Sequence, residues 1–303
     1  MEARIKKRLK EIGREAISFD VPMSRHTTFR VGGAVEALYR ARNLDELKAL
    51  MAFLWDEGIP YLVVGKGSNL LVRDGGLPGV AILLEGSFAF IEDDPWGEPS
   101  LAAGAGVPLH TLVDYCTRRG LSGVEFLAGI PGTVGGGVTM NAGSWGKEMS
   151  GVASGITVLT TRGTTEEREG SRLSFTYRGF DLKGEIVLDA RLNLKADKPA
   201  SIREKVAAYR KRRKERFPLD MACAGSIFKN PEGDYAGRLI DAAGLKKKMI
   251  GGAMISPKHA NIIVNKDKAS SSDILSLMDL AAGKVKEMFN IQLLPEIKVV
   301  GEM

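Results

Sequence analysis

The sequence predicts an α+β protein built from more than one domain. Segments with the apolar spacing of helices alternate with short apolar runs typical of strands. A polar segment at residues 195–201 separates the last third of the chain, and a glycine-rich segment spans residues 129–146. Neither a repeat nor the composition of a disordered chain is present, so we expect a globular, multidomain enzyme.

The composition is that of an ordinary globular protein, with 303 residues, 44% of them hydrophobic and 26% charged. The net charge of +6 would suit nucleic acid, but the basic residues are scattered except at residues 209–216, and a small anionic ligand explains them equally well. We therefore expect no nucleic-acid partner. The N-terminus lacks the apolar core of a signal peptide and no apolar stretch could span a membrane, which predicts a cytoplasmic protein without membrane attachment.

The cysteines and histidines do not suggest a metal site. Cys116 falls in a predicted helix and Cys223 in a predicted loop, without the CxxC spacing of metal or redox motifs. His26, His110 and His259 are far apart in the sequence. We expect two reduced thiols and no bound metal.

The first half of the chain divides at clear helix and strand signals. Asn43 is a plausible helix cap, Gly58-Ile59-Pro60 stops that helix, and Gly120 ends the next one. The apolar run at residues 61–64 is of the kind buried on both faces of a sheet. A turn-rich segment at 93–99 would separate two lobes. The predicted elements are helices 2–12, 43–55 and 108–119, strands 61–64, 70–72 and 80–84, and a loop at 65–69.

The second half contains strands and a long basic helix before the last domain. Strands are predicted at 156–160 and 186–192, and the main domain boundary at the polar segment 195–201. A basic helix at 202–216 follows. The remaining third has predicted helices at 236–243 and 272–289 and strands at 261–264 and 297–300.

Two glycine-rich loops are the strongest candidates for ligand binding. Ile130, Pro131 and Val134 make segment 129–146 unlike a flexible linker, and its glycines predict close approach to a flat, phosphorylated cofactor. The loop 65–69 lacks the spacing GxxxxGK[ST], and no helix follows it as GxGxxG would require, which disfavours a P-loop nucleotidase and a Rossmann dehydrogenase. The two loops could surround a pyrophosphate with backbone N–H groups, or each could be a tight turn between strands.

Three side chains are candidates for catalysis, each with an ordinary alternative. Ser226 is not in a GxSxG elbow, which disfavours a serine hydrolase. Two roles stay open for its hydroxyl: it caps a turn, or it donates a proton to a strongly basic carbanion. Arg178 could be a surface arginine. Glu296 lies between apolar neighbours, where a carboxylate needs a hydrogen-bonding or ionic partner or has a functional role. The basic run 211–216 is either a solvated helix face or a source of cations for a diphosphate.

Taken in order along the chain, these motifs resemble the flavoenzyme family of UDP-N-acetylenolpyruvoylglucosamine reductases, also called UDP-N-acetylmuramate dehydrogenases. The resemblance covers residues 24–301 and fits the compact subtype that lacks a tyrosine-bearing loop. Each motif alone is weak, but the ordered set is specific. The motifs are HTTFRVGG (26–33), GKGSNLL (65–71), GIPGTVGGGVTMNAGSWG (129–146), YR (177–178), GSIFKNP (225–231), AGRLIDAAGL (236–245), SPKHANIIVN (256–265) and PE (295–296).

The resemblance implies three parts of the chain and their ligands. Residues 1–20 would be a helical extension, 21–198 an FAD-binding domain of the vanillyl-alcohol-oxidase (PCMH) type with lobes at about 21–92 and 93–198, and 199–303 an α+β substrate-binding domain. The implied ligands are non-covalent FAD, NADPH as reductant and UDP-N-acetylglucosamine enolpyruvate as substrate. The implied process is peptidoglycan precursor synthesis in the cytoplasm, and we expect a monomer.

The resemblance also implies the chemistry of the three candidate side chains. Hydride from the flavin N5 would attack the terminal vinyl carbon and drive negative charge onto the next carbon and its carboxylate. That charge needs stabilisers already in position. Arg178 would polarise the carboxylate, Glu296 would complete the site with a shared proton, and Ser226 would donate the proton to the carbanion.

The remaining site residues are carried over from the matching motifs. Lys66 stands where the family often has glycine, and residues 216–218 differ from the usual sequence, which leaves the ligand of the diphosphate open. Substrate contacts are expected from Tyr177, Arg216 and Asn230. Cofactor contacts are expected from Gly65, Lys66, Gly67, Ser68, Asn69, Leu70, Gly129, Ile130, Pro131, Gly132, Thr133, Gly135, Gly136, Asn141 and Gly143.

Two other functions remain open. An FAD-dependent oxidase or dehydrogenase of a hydroxy acid or alcohol could share the flavin fold, but it would lack the constellation of Arg178, Ser226 and Glu296 and would often bind flavin covalently through a histidine. Neither glycine-rich loop contains a histidine. A non-catalytic protein that binds flavin or a UDP-sugar would be favoured only if those three residues were missing.

Overall fold

The computed structural model describes residues 1–94 and 98–303 and has the predicted mixture of helices and strands. Within the described residues, seven α-helices form. They are α1 (Ala3–Gly13), α2 (Leu44–Asp56), α3 (Leu109–Arg119), α4 (Val134–Thr139), α5 (Pro199–Arg216), α6 (Ala236–Ala242) and α7 (Ser271–Phe289).

The strands are short and most of them pair antiparallel. They are β1 (Ile17–Pro22), β2 (Ala34–Ala41), β3 (Tyr61–Val63), β4 (Leu70–Val72), β5 (Leu77–Leu84), β6 (Ile91–Asp93), β7 (Ser100–Gly104), β8 (Leu121–Ser122), β9 (Gly143–Ser144), β10 (Lys147–Glu148), β11 (Ala153–Leu159), β12 (Thr165–Glu169), β13 (Phe175–Thr176), β14 (Gly179–Phe180), β15 (Ile186–Asn193), β16 (Lys195–Ala196), β17 (Met249–Ile250), β18 (Ala253–Ile255), β19 (Ile263–Asn265) and β20 (Lys298–Val300). The larger sheets have the orders β1-β2-β5-β3, β12-β11-β15-β7-β6 and β17-β18-β19.

The chain forms two compact units, each made from separate segments. The first unit comprises Met1–Ser18, Leu38–Gly65 and Ala81–Arg213, and the second comprises Phe19–Ala37, Lys66–Val80 and Lys214–Met303. Such units group residues by contact, so they need not coincide with domains. The domain bounds 1–20, 21–198 and 199–303 stay a prediction.

The first unit is organised around its five-stranded sheet. Strand β15 is central: it pairs antiparallel with β11 on one side and with β7 on the other. Its alternating burial in the second half follows the two-residue period of a strand with one buried face. Side chains from this sheet, α3, α4 and the start of α5 form one buried core.

The second unit joins the C-terminal third to two earlier segments. Strand β20 pairs in parallel with β4, with Lys298 opposite Leu70 and Val300 opposite Val72. Phe29, Val31 and Leu71 belong to the same buried core as α6 and α7. This pairing brings the loop at residues 65–69 to the segment that carries Glu296.

Several helix ends form where the sequence predicts them. The Asn43 side chain accepts a hydrogen bond from the N–H of Glu46 at 2.9 Å, which confirms it as the cap of α2. Gly120 is left-handed at φ 72° and ends α3, as predicted. The last long helix has a capping box, in which Ser270 and Asp273 bond each other's backbone N–H groups.

Three expectations about local structure are corrected. Strand β3 is not buried on both faces, since it is the edge strand of its sheet and Val63 is exposed. The polar segment 195–201 is not a plain break, because β16 forms there and α5 already begins at Pro199. The glycine-rich segment contains the short helix α4. Helix propensity does not predict this helix, because glycine is a poor helix former. Residues 95–97 of the predicted turn at 93–99 lie outside the described residues.

Candidate active site

The two glycine-rich loops that the sequence singles out meet in the first unit. A Cβ atom at Gly65 would lie 2.6 Å from the Thr133 Oγ1, closer than real side chains allow. Gly65 follows strand β3 and Thr133 is the N-cap of α4. The two loops therefore meet at the C-terminal end of β3 and the N-terminus of α4. The contact requires glycine at residue 65.

The loop at residues 65–67 has the backbone of an anion-binding turn. Gly67 is left-handed at φ 59°, and a Cβ there would lie 2.1 Å from the carbonyl oxygen of His26. Within the described residues, the backbone N–H groups of Gly65, Lys66 and Gly67 donate to no protein acceptor. Successive N–H groups of this kind suit the oxygens of a phosphate.

The N-terminus of α4 offers fewer donors than the sequence suggests. The N–H of Val134 donates to Val107 and that of Gly135 to Ala105, at 2.9 and 3.0 Å. The N–H of Gly136 donates to the Thr133 side chain at 3.3 Å. These three N–H groups therefore already have acceptors inside the protein, and the predicted contacts of this segment with a pyrophosphate stay predictions.

Two glycines of the glycine-rich segment, Gly129 and Gly143, lie against arginine side chains. A Cβ at Gly129 would be 2.9 Å from the Arg213 Cδ, and one at Gly143 would be 2.9 Å from the Arg178 Nη1. The protein's own arginines occupy the space beside these two glycines, and the contacts of both glycines with the cofactor stay predictions. Gly136 is exposed, so the middle of the segment stays open to a ligand.

Arg178 lies in a tight turn of the first unit. Phe175 pairs with Phe180 and Thr176 with Gly179, which leaves Tyr177 and Arg178 as a two-residue turn between β13 and β14. Arg178 is left-handed at φ 57°, a conformation that costs a non-glycine residue on the order of 1 kcal/mol. Its Cζ lies 5.1 Å from the centroid of the Tyr177 ring. The residue is half-buried, which argues against an ordinary surface arginine.

Ser226 and Glu296 lie on two segments of the second unit whose backbones pair, with Ile227 opposite Glu296. The N–H of Glu296 donates to the carbonyl of Ile227 at 2.7 Å, and the N–H of Lys229 donates to the carbonyl of Leu294 at 2.8 Å. Phe228 and Pro295 form the antiparallel bridge between these bonds. The hydroxyl-bearing residue and the carboxylate-bearing residue are thereby held on two adjacent segments.

Two asparagine side chains support this pairing. The Asn69 Nδ2 donates to the carbonyl of Glu296 at 3.0 Å, so part of its predicted cofactor-binding capacity is used within the protein. Asn261 accepts from the N–H of Phe228 at 2.9 Å and donates to the carbonyl of Phe228 at 2.7 Å. Sequence reasoning did not single out Asn261, although it lies in the motif at 256–265.

A group of cations collects near the end of α5 in the second unit. Arg216 is the last residue of that helix, and the next residue, Phe217, stacks on His259 with ring centroids 5.5 Å apart. Burial, followed by the charges of Lys246 and Arg216, lowers the pKa of His259 below its usual value. Lys246 and His259 were missed by the sequence analysis; their only signal was their position inside matching motifs.

The other predicted site residues occupy varied positions. The Asn230 Oδ1 accepts from the N–H of Ala236 at 3.1 Å and so supports the start of α6. Leu70 is buried in β4, and Asn141 is buried with its amide bonded to protein groups. Lys66, Gly129 and Pro131 are exposed, and Ser68, Ile130 and Gly132 are half-buried. Contacts of these residues with a ligand stay predictions.

The remaining acidic, histidine and cysteine side chains form no metal site in the described part of the chain. No group of three or more His, Cys, Asp or Glu side chains is arranged to hold a metal ion there. Burial raises the pKa of the Cys116 thiol to about 12, which makes it an unreactive core residue. None of the described helices is long and apolar enough to cross a membrane.

Comparison with known proteins first defines the class. A family model described as an FAD binding domain matches residues 35–168, which include the loop at 65–69 and the glycine-rich segment. A second model, described as the C-terminal domain of UDP-N-acetylenolpyruvoylglucosamine reductase, matches residues 217–300, which include Ser226 and Glu296. The fold and these matches define an FAD-binding oxidoreductase and confirm both FAD as the cofactor and the predicted two-part α+β fold.

Full-length relatives then identify the family. A UDP-N-acetylenolpyruvoylglucosamine reductase of Syntrophus aciditrophicus is 42% identical, with 98% of this chain and 96% of the relative covered. One from Caldanaerobacter subterraneus subsp. tengcongensis is 40% identical, with 97% of each chain covered. The crystal structure of the reductase (MurB) from Thermus caldophilus superimposes with a TM-score of 0.80 at 38% identity over 93% of this chain and 98% of that one. The chain belongs to the UDP-N-acetylenolpyruvoylglucosamine reductase family.

Proposed function

We propose that this protein reduces UDP-N-acetylglucosamine enolpyruvate to UDP-N-acetylmuramate, with NADPH as the reductant, in peptidoglycan precursor synthesis. The observation that carries the proposal is the backbone pairing in the second unit that keeps Ser226 and Glu296 on two adjacent segments, with Ile227, the residue after Ser226, bonded to the N–H of Glu296. A proton donor and a carboxylate on adjacent segments suit protonation of a carbon that has just gained negative charge. We further expect a monomeric enzyme in the cytoplasm.

The residues present fit an FAD cofactor. The loop at 65–67 provides backbone N–H groups without protein acceptors for the pyrophosphate, and the exposed Gly136 leaves α4 accessible. Ser68, Thr133 and the remaining predicted contacts would complete the site. When bound, FAD supplies the hydride for reduction of the carbon–carbon double bond.

Three side chains of the protein would stabilise the negative charge on the substrate and supply the proton. Arg178 would hold the substrate carboxylate and stabilise the negative charge that spreads onto it. The Ser226 hydroxyl would transfer its proton to the adjacent carbon; a serine is a weak acid, but the carbanion is a far stronger base. Glu296 would share a proton with the carboxylate end of the substrate, because two bare carboxylates in one site repel.

The cation group of the second unit suits the substrate diphosphate. Lys246 and Arg216 both contribute to lowering the pKa of His259, and Lys246 also forms an ion pair with Asp241 at 2.6 Å. Paired cations are well matched to phosphate oxygens, and an imidazole can add a hydrogen bond. We propose Arg216 and Lys246 as the diphosphate ligands, with Tyr177 and Asn230 as further substrate contacts.

Separate measurement of the two half-reactions tests the proposal. We expect Ser226→Ala to keep stopped-flow flavin reduction by NADPH within about twofold of wild type, while flavin reoxidation by the enolpyruvyl substrate falls at least about 100-fold. Ser174→Ala, at an exposed serine of the first unit, is the matched control and should change neither rate.

Two outcomes would contradict this function. Equal loss of both half-reactions in Ser226→Ala would remove the proton-donor role. Wild-type flavin that NADPH leaves oxidised but a hydroxy acid or alcohol reduces would instead favour an oxidase or dehydrogenase on the same fold.

A further inference from the structure

The segment that follows α4 lies directly against the turn that carries Arg178. We infer that Asn141 and Gly143 are positioning residues that hold the Arg178 guanidinium, and that they are not contacts of the cofactor. The inference rests on the proposed function of Arg178 and concerns only residues of the first unit.

Asn141 fastens the base of the Arg178 turn. Its side chain is fully buried, and its backbone is left-handed at φ 41°. The Nδ2 donates to the carbonyl of Thr176 at 3.0 Å, and the Oδ1 accepts from the N–H of Ser150 at 2.9 Å. Thr176 is the last residue of β13, two positions before Arg178, so the amide ties the turn to the segment after α4.

Gly143 forms the surface on which the guanidinium lies. A Cβ there would be 2.6 Å from the Lys147 carbonyl oxygen, 2.8 Å from the Glu148 Cβ and 2.9 Å from the Arg178 Nη1. Gly143 pairs with Glu148 in the β9–β10 hairpin, whose turn residues Trp145 and Gly146 both have positive φ. The hairpin therefore presents bare backbone, rather than a side chain, to the arginine.

Arg178 needs this support because its own backbone conformation is unfavourable. A left-handed arginine persists only where the surrounding structure fixes it. A displacement of about 1 Å in a positioned catalytic group can cost on the order of 100-fold in rate. Asn141 and Gly143 would thus act on the reaction through Arg178 without touching the cofactor.

A methyl group added beneath the guanidinium tests the inference. We expect Gly143→Ala to slow flavin reoxidation by the enolpyruvyl substrate about 10- to 100-fold. NADPH-driven flavin reduction and the absorbance ratio of FAD to protein should stay within about twofold. The control is Gly151→Ala in the same segment, where the φ is not positive and a Cβ meets nothing within 4 Å, so both half-reactions should be unchanged.

Two further measurements separate positioning from a merely structural effect. In an Arg178→Ala background, Gly143→Ala should add less than about a twofold loss, because both changes act through the same side chain. Asn141→Asp also serves if Gly143→Ala fails to fold. Because residue 141 is fully buried, desolvation should raise the pKa of the introduced carboxyl, and only its protonated form can donate to the Thr176 carbonyl, so activity should fall more at pH 8 than at pH 6 relative to wild type at each pH.

The outcomes are distinguishable from failure of the proposed function. Loss of FAD in Gly143→Ala but not in Gly151→Ala, or additive losses in the double variant, would overturn the inference and restore a cofactor contact. If wild-type enzyme does not turn over the enolpyruvyl substrate, the proposed function fails instead. In that case crystal structures of the two alanine variants decide the inference, which predicts a displaced Arg178 guanidinium in Gly143→Ala alone.

Discussion

Single residues at the candidate site are held mainly by backbone hydrogen bonds. The carbonyl of Ile227, the residue after Ser226, accepts from the N–H of Glu296, and Asn261 bonds both backbone groups of Phe228 on the same segment. These bonds fix the backbone positions from which the two side chains project. The buried asparagine side chains that complete the pairing are therefore the groups whose removal should destabilise it most.

Asn261 is one of these buried asparagines. Asn261→Ala leaves the N–H and carbonyl of Phe228 without their side-chain partners in a buried position, so we expect a loss of about 2 kcal/mol in the free energy of unfolding. Urea denaturation measures it. Asn193→Ala, at an exposed strand residue, is the control and should change stability by less than about 0.5 kcal/mol. Equal stabilities of the two variants would contradict the supporting role of Asn261.

His259 makes a pH-dependent contribution. Because burial and then the charges of Lys246 and Arg216 lower its pKa in the folded state, the unfolded chain binds the proton more readily. This part of the stability is present above the ordinary histidine pKa of about 6.5 and is lost as the pH falls toward the lowered value. We expect His259→Gln to be less sensitive than wild type to a change from pH 7 to pH 5 in urea denaturation. An identical pH dependence would refute the assignment.

The same histidine reports on the proposed diphosphate site. A bound diphosphate would offset the charges of Lys246 and Arg216, so adding UDP should raise the pKa of His259 in an NMR titration. The shift should shrink in Lys246→Met. A pKa that is unchanged by saturating UDP would argue against diphosphate binding at these cations.

At the level of elements, α7 depends on its first turn. Ser270 accepts from the N–H of Asp273, and the Asp273 carboxylate accepts from the N–H groups of Ser270 and Gly252 at 3.0 and 3.1 Å. The buried face of the helix, which includes Ile274 and Leu277, belongs to the core of the second unit. The cap therefore fixes where a major part of that core begins.

Removing the cap should destabilise the protein measurably. We expect Ser270→Ala to lower the free energy of unfolding by about 1 kcal/mol. Ser276→Ala, at an exposed position inside the same helix, should have no such effect, because alanine is the better helix former there. Thermal denaturation of the two variants gives the comparison, and equal melting temperatures would disprove the importance of the cap.

At the level of the whole molecule, we predict that FAD retention depends on the loop at residues 65–67. Gly65 is the last residue of one segment of the first unit, and Lys66 begins a segment of the second. The glycines on either side of that division each exclude a Cβ atom. Cofactor binding should therefore be sensitive to small changes at this loop.

Gly67→Ala tests that sensitivity. The added methyl would meet the carbonyl oxygen of His26 in a left-handed residue, so we expect the yellow colour and the FAD-to-protein ratio to fall well below those of wild type. Gly58→Ala, also left-handed but with nothing within 4 Å, controls for backbone strain alone and should retain FAD. Retention of FAD by Gly67→Ala would exclude this loop from the cofactor site.

Much of the fold was predictable from the sequence because helix periodicity and capping are local. The Asn43 cap, the Gly120 stop and the body of α7 all follow from residues within a few positions of each other. The ordered motifs also sufficed to recognise the family. The short helix α4 was not predictable, since its stability comes from packing of Val134 and Val138 in the core rather than from its glycines.

The sequence by itself therefore determined the main helices, the family and the types of side chain available for catalysis. Only the tertiary structure decided what those side chains contact. The Asn69 amide bonds the backbone of Glu296, 227 positions away, and the glycines at residues 129 and 143 accommodate arginines. Such contacts depend on how distant segments pack and pair, and no local spacing encodes them.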